Sequence, residues 1–412
     1  MKLLLISCGG TIVSPAAEGG VKAGEIATEA AVKKLIRTIL PLEMLAELNR
    51  RATEDLAASP NVSRCFIELD PESDDPGGRL KDKKPLTRKN PPLDVKILFD
   101  VDSTEVCPAH WGRVINCIIE NYDDYDGFIV THGTNTLAYT ASALTFGLPH
   151  LGKPVVMTGA NLPLGLPFSD AALNASYALL LVQKLISEGH GGVVAVFVSH
   201  VMPGPRVKKA SGTEFEAFRT FNAADIGQMR PKEVLLYESE FEKYVTNNDA
   251  DSEWPGKVCA KDKKELRATS HTDFRAMISS HTFHPGDDPE PYLAVIKMLE
   301  TERIENGLRG ALIIRAVGDG DVSKLIQEKV FSKAKEFKIP IVVTTQEPGG
   351  TSSLTGNKQS EGVVEKFGVI PALDMSIETM VVKLRYLLAK GLTYEQIQKE
   401  FIKSYHGEIR KR

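Results

Sequence analysis

Three short segments of this sequence combine hydroxyls, glycines and an amine in ways that can do chemistry. The first is Ser7-Cys8-Gly9-Gly10-Thr11-Ile12, which follows the apolar run at 3–7. Two glycines before a threonine make a tight turn that exposes the hydroxyl. A threonine so placed becomes a nucleophile if its proton has somewhere to go, and the same residues also make an ordinary strand-to-loop turn. The second segment is Thr131-His132-Gly133-Thr134-Asn135-Thr136, lying between the strand-like 127–130 and a helical pattern beginning at Leu137. Its glycine lets a ligand approach the backbone. The helix start offers free N–H groups to a polarised oxygen, although Thr and Asn there also serve as simple N-caps. The third is Arg206-Val207-Lys208-Lys209-Ala210. A lysine inside an α/β cleft can act as a base, because desolvation lowers its pKa, whereas two adjacent lysines more often decorate a solvated face.

The elements around these segments alternate. Strand patterns occur at 3–7, 95–99, 128–131, 155–158 and 193–199, and helical patterns at 29–49, 108–121 and 169–187. A second α/β block follows, with strands at 310–314 and 339–344 and helices at 324–337, 376–390 and 393–404. Such alternation predicts a parallel sheet covered by helices. Chemistry is then expected where the strands end in loops. The predicted organisation is a larger N-terminal α/β domain of flavodoxin-like, parallel-sheet type at 1–235, a polar linker or insertion at 236–290, and a smaller C-terminal α/β domain at 291–412. Residues 70–92 form a further polar stretch, and both stretches have the composition of solvated loops.

At 412 residues the protein is long enough for a full core or two. A net charge of −4 gives no general attraction to nucleic acid or membrane, and no run approaches the ~18 apolar residues of a membrane span. The five cysteines are scattered, with no Cys-x-x-Cys pair. That argues against a disulfide framework or a metal site and for a reducing, cytoplasmic location. The apolar N-terminus reads as a buried strand rather than an export signal.

Taken together and in this order, the three segments resemble the bacterial-type L-asparaginases and their amidotransferase relatives. Cys8-Gly9-Gly10-Thr11-Ile12 is similar to that family's Thr-Gly-Gly-Thr-Ile. The run from Asp126 to Thr136 is similar to its Asp-Gly-Phe-Val-Val-Thr-His-Gly-Thr-Asp-Thr. Further similarity extends over 154–160 with Ser169, Asp170 and Asn174, over 209–218, over Val101-Asp102-Ser103-Thr104, and more loosely over 344–350 and 370–375. The likeness covers most of the sequence except the two polar stretches.

The resemblance implies a hydrolase acting on the carboxamide of a side chain. Thr11 would be the nucleophile, and Thr134 with Lys209 the proton-transferring pair. Backbone N–H groups at Thr11 and Thr134 would hold the oxyanion. Substrate would be bound by Gly10, Ser103, Thr104, Gly133, Asn135 and Ala160, with Ser103 on the α-carboxylate and the Ala160 carbonyl on the leaving nitrogen. No metal or cofactor is implied, and a homodimer or homotetramer is expected. Asp321 stands where relatives carry an asparagine that reaches the neighbouring subunit's site.

Three departures stand out. Asn135 replaces an aspartate that, in the family, pairs with the substrate's α-ammonium. Val21, in Val21-Lys22-Ala23-Gly24, replaces a loop tyrosine, so another group or a water would relay the proton from Thr11. Cys8 replaces a threonine and is expected to pack in the core. The sequence supports an amidohydrolase that has moved away from free asparagine, with an ordinary asparaginase tolerating Asn135 beside it. The alternative class is a non-catalytic protein that binds a small amide or amino acid with the same fold. A tRNA-dependent amidotransferase subunit, which usually carries a domain ahead of the first strand, fits less well.

Overall fold

The computed structural model describes residues 1–13, 34–36, 38, 93–230, 233–241 and 259–410. The first strand, β1 (Leu3–Ser7), is buried along its whole length. It sits between two parallel neighbours, β2 (Leu93–Ile97) and β3 (Gly127–Thr131), in register with Leu3 opposite both Leu93 and Gly127. β4 (Pro154–Thr158) and β5 (Gly192–Phe197) continue the parallel sheet. The parallel order β2-β1-β3-β4-β5 is that of the flavodoxin-like fold, and its direction of winding reverses between β1 and β3. The unbroken apolar runs of β1, β3 and β4 follow from burial on both faces.

Alternation along β1 divides the core. Leu4 and Ile6 pack with α1 (Pro108–Glu120) and α2 (Leu137–Gly147). Leu3 and Leu5 pack with α3 (Ala171–Ser187) on the opposite face. α1 begins with proline at its first turn, where no N–H is needed.

The far edge of this sheet is antiparallel. β5 turns back into β6 (His200–Pro203), which pairs with β9 (Gly227–Arg230), and β9 pairs with β10 (Glu233–Leu236). A separate hairpin, β7 (Val207–Lys209) with β8 (Phe218–Thr220), carries the lysine pair. These short strands were not legible in the sequence, because three or four residues are too few to show a period.

The second sheet is fully parallel, in the order β11 (Met277–Thr282), β12 (Gly310–Ala316), β13 (Ile341–Thr345) and β14 (Ile370–Pro371). β11 lies inside the expected 236–290 linker, as does a helix, α4 (Lys263–Thr269). The second sheet therefore begins before residue 291. The sequence pattern does not mark β11, because its Ser-Ser-His-Thr end is polar and only half-buried. α5 (Glu290–Asn306) covers this sheet. The helical stretch expected at 324–337 is α6 (Lys324–Ile326) running through a π-helical turn, Gln327–Phe331, into α7 (Ser332–Phe337). α8 (Val363–Phe367), α9 (Ile377–Ala389) and α10 (Tyr394–Phe401) complete the described elements. Of the helix expected at 29–49, residues 34–36 and 38 are helical and the remainder lies outside the described residues, as do residues 70–92.

α2 is buried nearly all round because α9 of the second block covers its outer side. Phe146 and Tyr386 stack with ring centroids 5.6 Å apart, and the hydroxyls of Ser142 and Thr379 lie 3.1 Å apart. A fully buried ion pair then anchors the C-terminal tail to α9. Lys383 Nζ lies 2.7 Å from Glu408 Oε1, and neither side chain is exposed. The backbone N–H groups of Tyr405 and His406 also donate to Glu408. Burial pushes the Glu408 carboxyl up, but the Lys383 ammonium and these hydrogen bonds hold it down at about 2.

Removing one partner of a buried pair strands the other charge. Glu408→Gln or Lys383→Met should therefore lose about 3–5 kcal/mol in urea unfolding. Because Glu408 titrates below its unfolded value, its contribution should be complete above pH ~4.3 and fade as pH falls towards 2. Unfolding curves of the wild type and Glu408→Gln should converge across that interval.

Candidate functional site

The site forms where the winding reverses, at the carboxyl ends of β1 and β3. Ser7 and Thr131 end these strands as direct partners. Beyond them the two turns meet backbone to backbone. A Cβ built on Gly10 would lie 2.4 Å from the amide nitrogen of Gly133 and 2.5 Å from its Cα. Gly10 also has φ +87°, which side-chain-bearing residues rarely adopt. This contact places Thr11, which opens a 3-10 turn (Thr11–Val13), beside the loop that carries Thr134. Thr11 is half-buried and Thr134 nearly buried.

Lys209 arrives from the β7–β8 hairpin. Its Nζ donates to Thr134 Oγ1 at 2.8 Å and to Asn135 Oδ1 at 2.9 Å. Desolvation lowers its pKa, and it has no ion pair among the described residues. The two lysines do not share a solvated face, contrary to the simpler reading of the pair. Successive strand residues point opposite ways, so Lys208 instead meets Glu378 on α9, Nζ to Oε1 2.9 Å. Two more contacts tie this segment to the second block. Arg206 is buried and donates to Asp374 Oδ2 at 3.0 Å and to the Gly407 carbonyl. The Thr379 hydroxyl donates to the Pro205 carbonyl at 2.6 Å.

Ser103 closes a third side. It is buried, and a Cβ on Gly133 would come within 2.7 Å of its Oγ. Its carbonyl accepts from the Thr136 hydroxyl at 2.6 Å, which fixes the serine turn to the threonine turn. Thr104 is exposed and its hydroxyl donates to Asp102 at 2.6 Å, so that donor is already engaged. Ala160 is fully buried just after β4. The preceding residue, Gly159, runs against Thr134, since its Cβ would sit 3.4 Å from Thr134 Cγ2. Asn174 on α3 holds this turn: its Nδ2 donates to the Gly159 carbonyl and its Oδ1 accepts from Val198 N–H. Asp170 accepts from the N–H groups of Asn161 and Leu162.

Two neighbouring side chains are buried. His132 is fully buried, and burial pushes its pKa down to about 4, so the ring is neutral near pH 7. Its ring nitrogens lie 2.8 Å from the Gly133 carbonyl and 3.0 Å from Thr140 Oγ1, which brace the turn. Cys8 is buried and its thiol is pushed far up by burial, which agrees with a core cysteine.

The structure thus gathers Gly10, Thr11, Ser103, Gly133, Thr134, Asn135, Ala160 and Lys209 around one switch point. Val21 lies outside the described residues. Asp321 lies beyond β12, in the turn bridged to Val317, and accepts from Asn357 Nδ2 at 2.5 Å. Sequence reasoning missed Glu378 and Thr379, because a charged or hydroxyl residue early in a helix reads as a solvated or capping position.

The chain is similar to known proteins along most of its length. The family model for the N-terminal domain of asparaginases matches residues 2–241, and the model for the glutaminase/asparaginase C-terminal domain matches residues 278–401. The chain belongs to the asparaginase family. It is 30% identical to the L-asparaginase of Thermococcus kodakarensis over 77% of this chain and 86% of that one. It is 29% identical to a glutamyl-tRNA(Gln) amidotransferase subunit of Pyrococcus abyssi, over 76% of this chain and 66% of the relative. The solved structure of the thermostable L-asparaginase from T. kodakarensis superposes with a TM-score of 0.69 at 25% identity, covering all of both chains. Membership makes this an asparaginase-like enzyme and supports amidohydrolase activity. The second family model begins at residue 278, inside β11, where the second sheet begins.

Within this asparaginase fold the Gly10–Gly133 contact leaves no room for a methyl group. Gly10→Ala should lower the thermal midpoint by several degrees and abolish turnover. Gly189→Ala, at another positive-φ glycine with nothing within 4 Å of its Cβ, should cost only backbone strain. Calorimetric melts with an ammonia assay separate the two.

Proposed function

We propose that the enzyme hydrolyses the carboxamide of a side chain, in asparagine or an asparagine-like compound, through an acyl intermediate on Thr11. The observation that carries this reading is the 2.8 Å bond between Lys209 and Thr134, beside the turn that presents Thr11. Thr11 Oγ1 would attack the amide carbon, with the developing oxyanion held by backbone N–H groups at Thr11 and Thr134. Ammonia leaves with a proton, and water then cleaves the ester. Thr134 passes protons to and from Lys209, whose desolvation favours the neutral, basic amine. Ser103 would bind the α-carboxylate, with Thr104 beside it, and the Ala160 carbonyl would orient the leaving nitrogen.

Assembly as a homodimer or homotetramer and a cytoplasmic location belong to the same reading. The described cysteines are all free, in keeping with a reducing compartment. No helix among the described residues is long and apolar enough to cross a membrane.

Ammonia release from a panel of amides tests the proposal. Thr11→Val should remove turnover while keeping the melting profile. Turnover unchanged in Thr11→Val would overturn the acyl-threonine route, and calorimetric binding of an amide with no turnover would favour the non-catalytic alternative. Lys209→Met should lower kcat about 10²–10⁴-fold. The pH profile should rise on an alkaline limb centred below the ordinary lysine value of about 10.4, since a lowered pKa frees the base earlier. That limb should vanish in Lys209→Met.

A further inference from the structure

Asn135 is the one residue of the catalytic turn whose side chain is exposed while it touches Lys209. An asparagine amide offers one acceptor oxygen and two N–H donors. Lys209 donates one N–H to the Asn135 oxygen at 2.9 Å and lies 2.8 Å from the Thr134 hydroxyl. Reversing the amide would set N–H against N–H. A neutral lysine could then accept only through its lone pair, which is the lone pair needed for the Thr134 proton. The oxygen therefore faces the lysine, and the NH₂ group faces the exposed side.

This wall of the site consequently presents a hydrogen-bond donor beside an amine, with no carboxylate among the described residues paired to that amine. A substrate ammonium beside Lys209 would meet the N–H groups of Asn135, with no carboxylate among the described residues paired to that lysine. An uncharged substituent carrying an acceptor oxygen would instead take the free N–H of Asn135. The exposure of Asn135 leaves that substituent open to solvent, where a longer group can continue.

Resting on the hydrolase reading above, we propose that Asn135 selects carboxamides whose α-nitrogen is acylated, as in N-acyl-asparagine, over the free amino acid. The acyl carbonyl oxygen accepts from Asn135 Nδ2. Acylation also leaves no ammonium to be set against the N–H groups of Asn135. The reaction itself is unchanged: the carbon–nitrogen bond of the carboxamide breaks, water supplies the hydroxyl, and ammonia leaves.

The test measures kcat/KM for ammonia release from N-acetyl-L-asparagine and from L-asparagine, with the full-length protein and with Asn135→Asp. The wild type should favour the acetylated amide by about tenfold, the upper scale of one neutral hydrogen bond. Asn135→Asp should move the ratio about tenfold to a hundredfold towards free asparagine. Asn135→Ala should lose rate on the acetylated amide without gaining on the free one. Melting curves of both variants, read beside the rates, confirm that folded protein is compared. Preference of the wild type for free asparagine, or a ratio unmoved by Asn135→Asp, would overturn this inference and leave the hydrolase reading standing. Ammonia from neither amide would overturn both.

Discussion

Two turns that pack backbone against backbone organise this molecule. Parallel strands lie about 4.8 Å apart, so the loops leaving β1 and β3 can touch only if side chains are absent at the crossing. Gly10 and Gly133 meet that condition, and the left-handed conformation of Gly10 turns the backbone sharply enough to present Thr11. Gly133 serves twice, since its other side abuts Ser103. Three loops therefore converge on one glycine pair, and the polar groups that surround it come from four strand ends. A neutral His132 beneath the turn braces it without placing a charge in the core.

The amine reaches this centre by a different route. Lys209 belongs to a hairpin outside the main sheet, and a three-residue strand has little to hold it in place by itself. The second block does so. Asp374, Glu378 and Thr379, all at or near the start of α9, bond to Arg206, Lys208 and the Pro205 carbonyl. α9 also covers α2, which leads directly out of the turn that carries Thr134. One helix of the C-terminal block thus sets both the lysine hairpin and the helix behind Thr134. The buried pair of Lys383 and Glu408 in turn fastens α9 to the tail. The lysine is bonded to two neutral side chains in a partly desolvated position, which lowers its pKa.

Much of this was legible in the sequence. Unbroken apolar runs marked the buried parallel strands, and glycine-threonine turns marked their ends. The candidate residues of the site were named because three hydroxyl- and amine-bearing segments, taken in order, resemble the motifs of the asparaginase family. Other features were hidden. β6 to β10 are too short for a period, and β11 ends in polar residues, so the start of the second sheet lay inside a stretch whose composition reads as loop. The adjacent lysines looked like one solvated face because sequence spacing does not say which element a side chain will meet.

The sequence by itself determined the parallel architecture, which follows from local periodicity, and the candidate groups of the site with Asn135 in place of a carboxylate, which follow from its resemblance to the asparaginase motifs. Only the tertiary structure decided that Lys209 lies within hydrogen-bonding distance of Thr134, that Lys208 faces Glu378, and that the Asn135 amide turns its oxygen to the lysine. Those choices depend on contacts between residues tens to hundreds of positions apart, which local sequence does not specify.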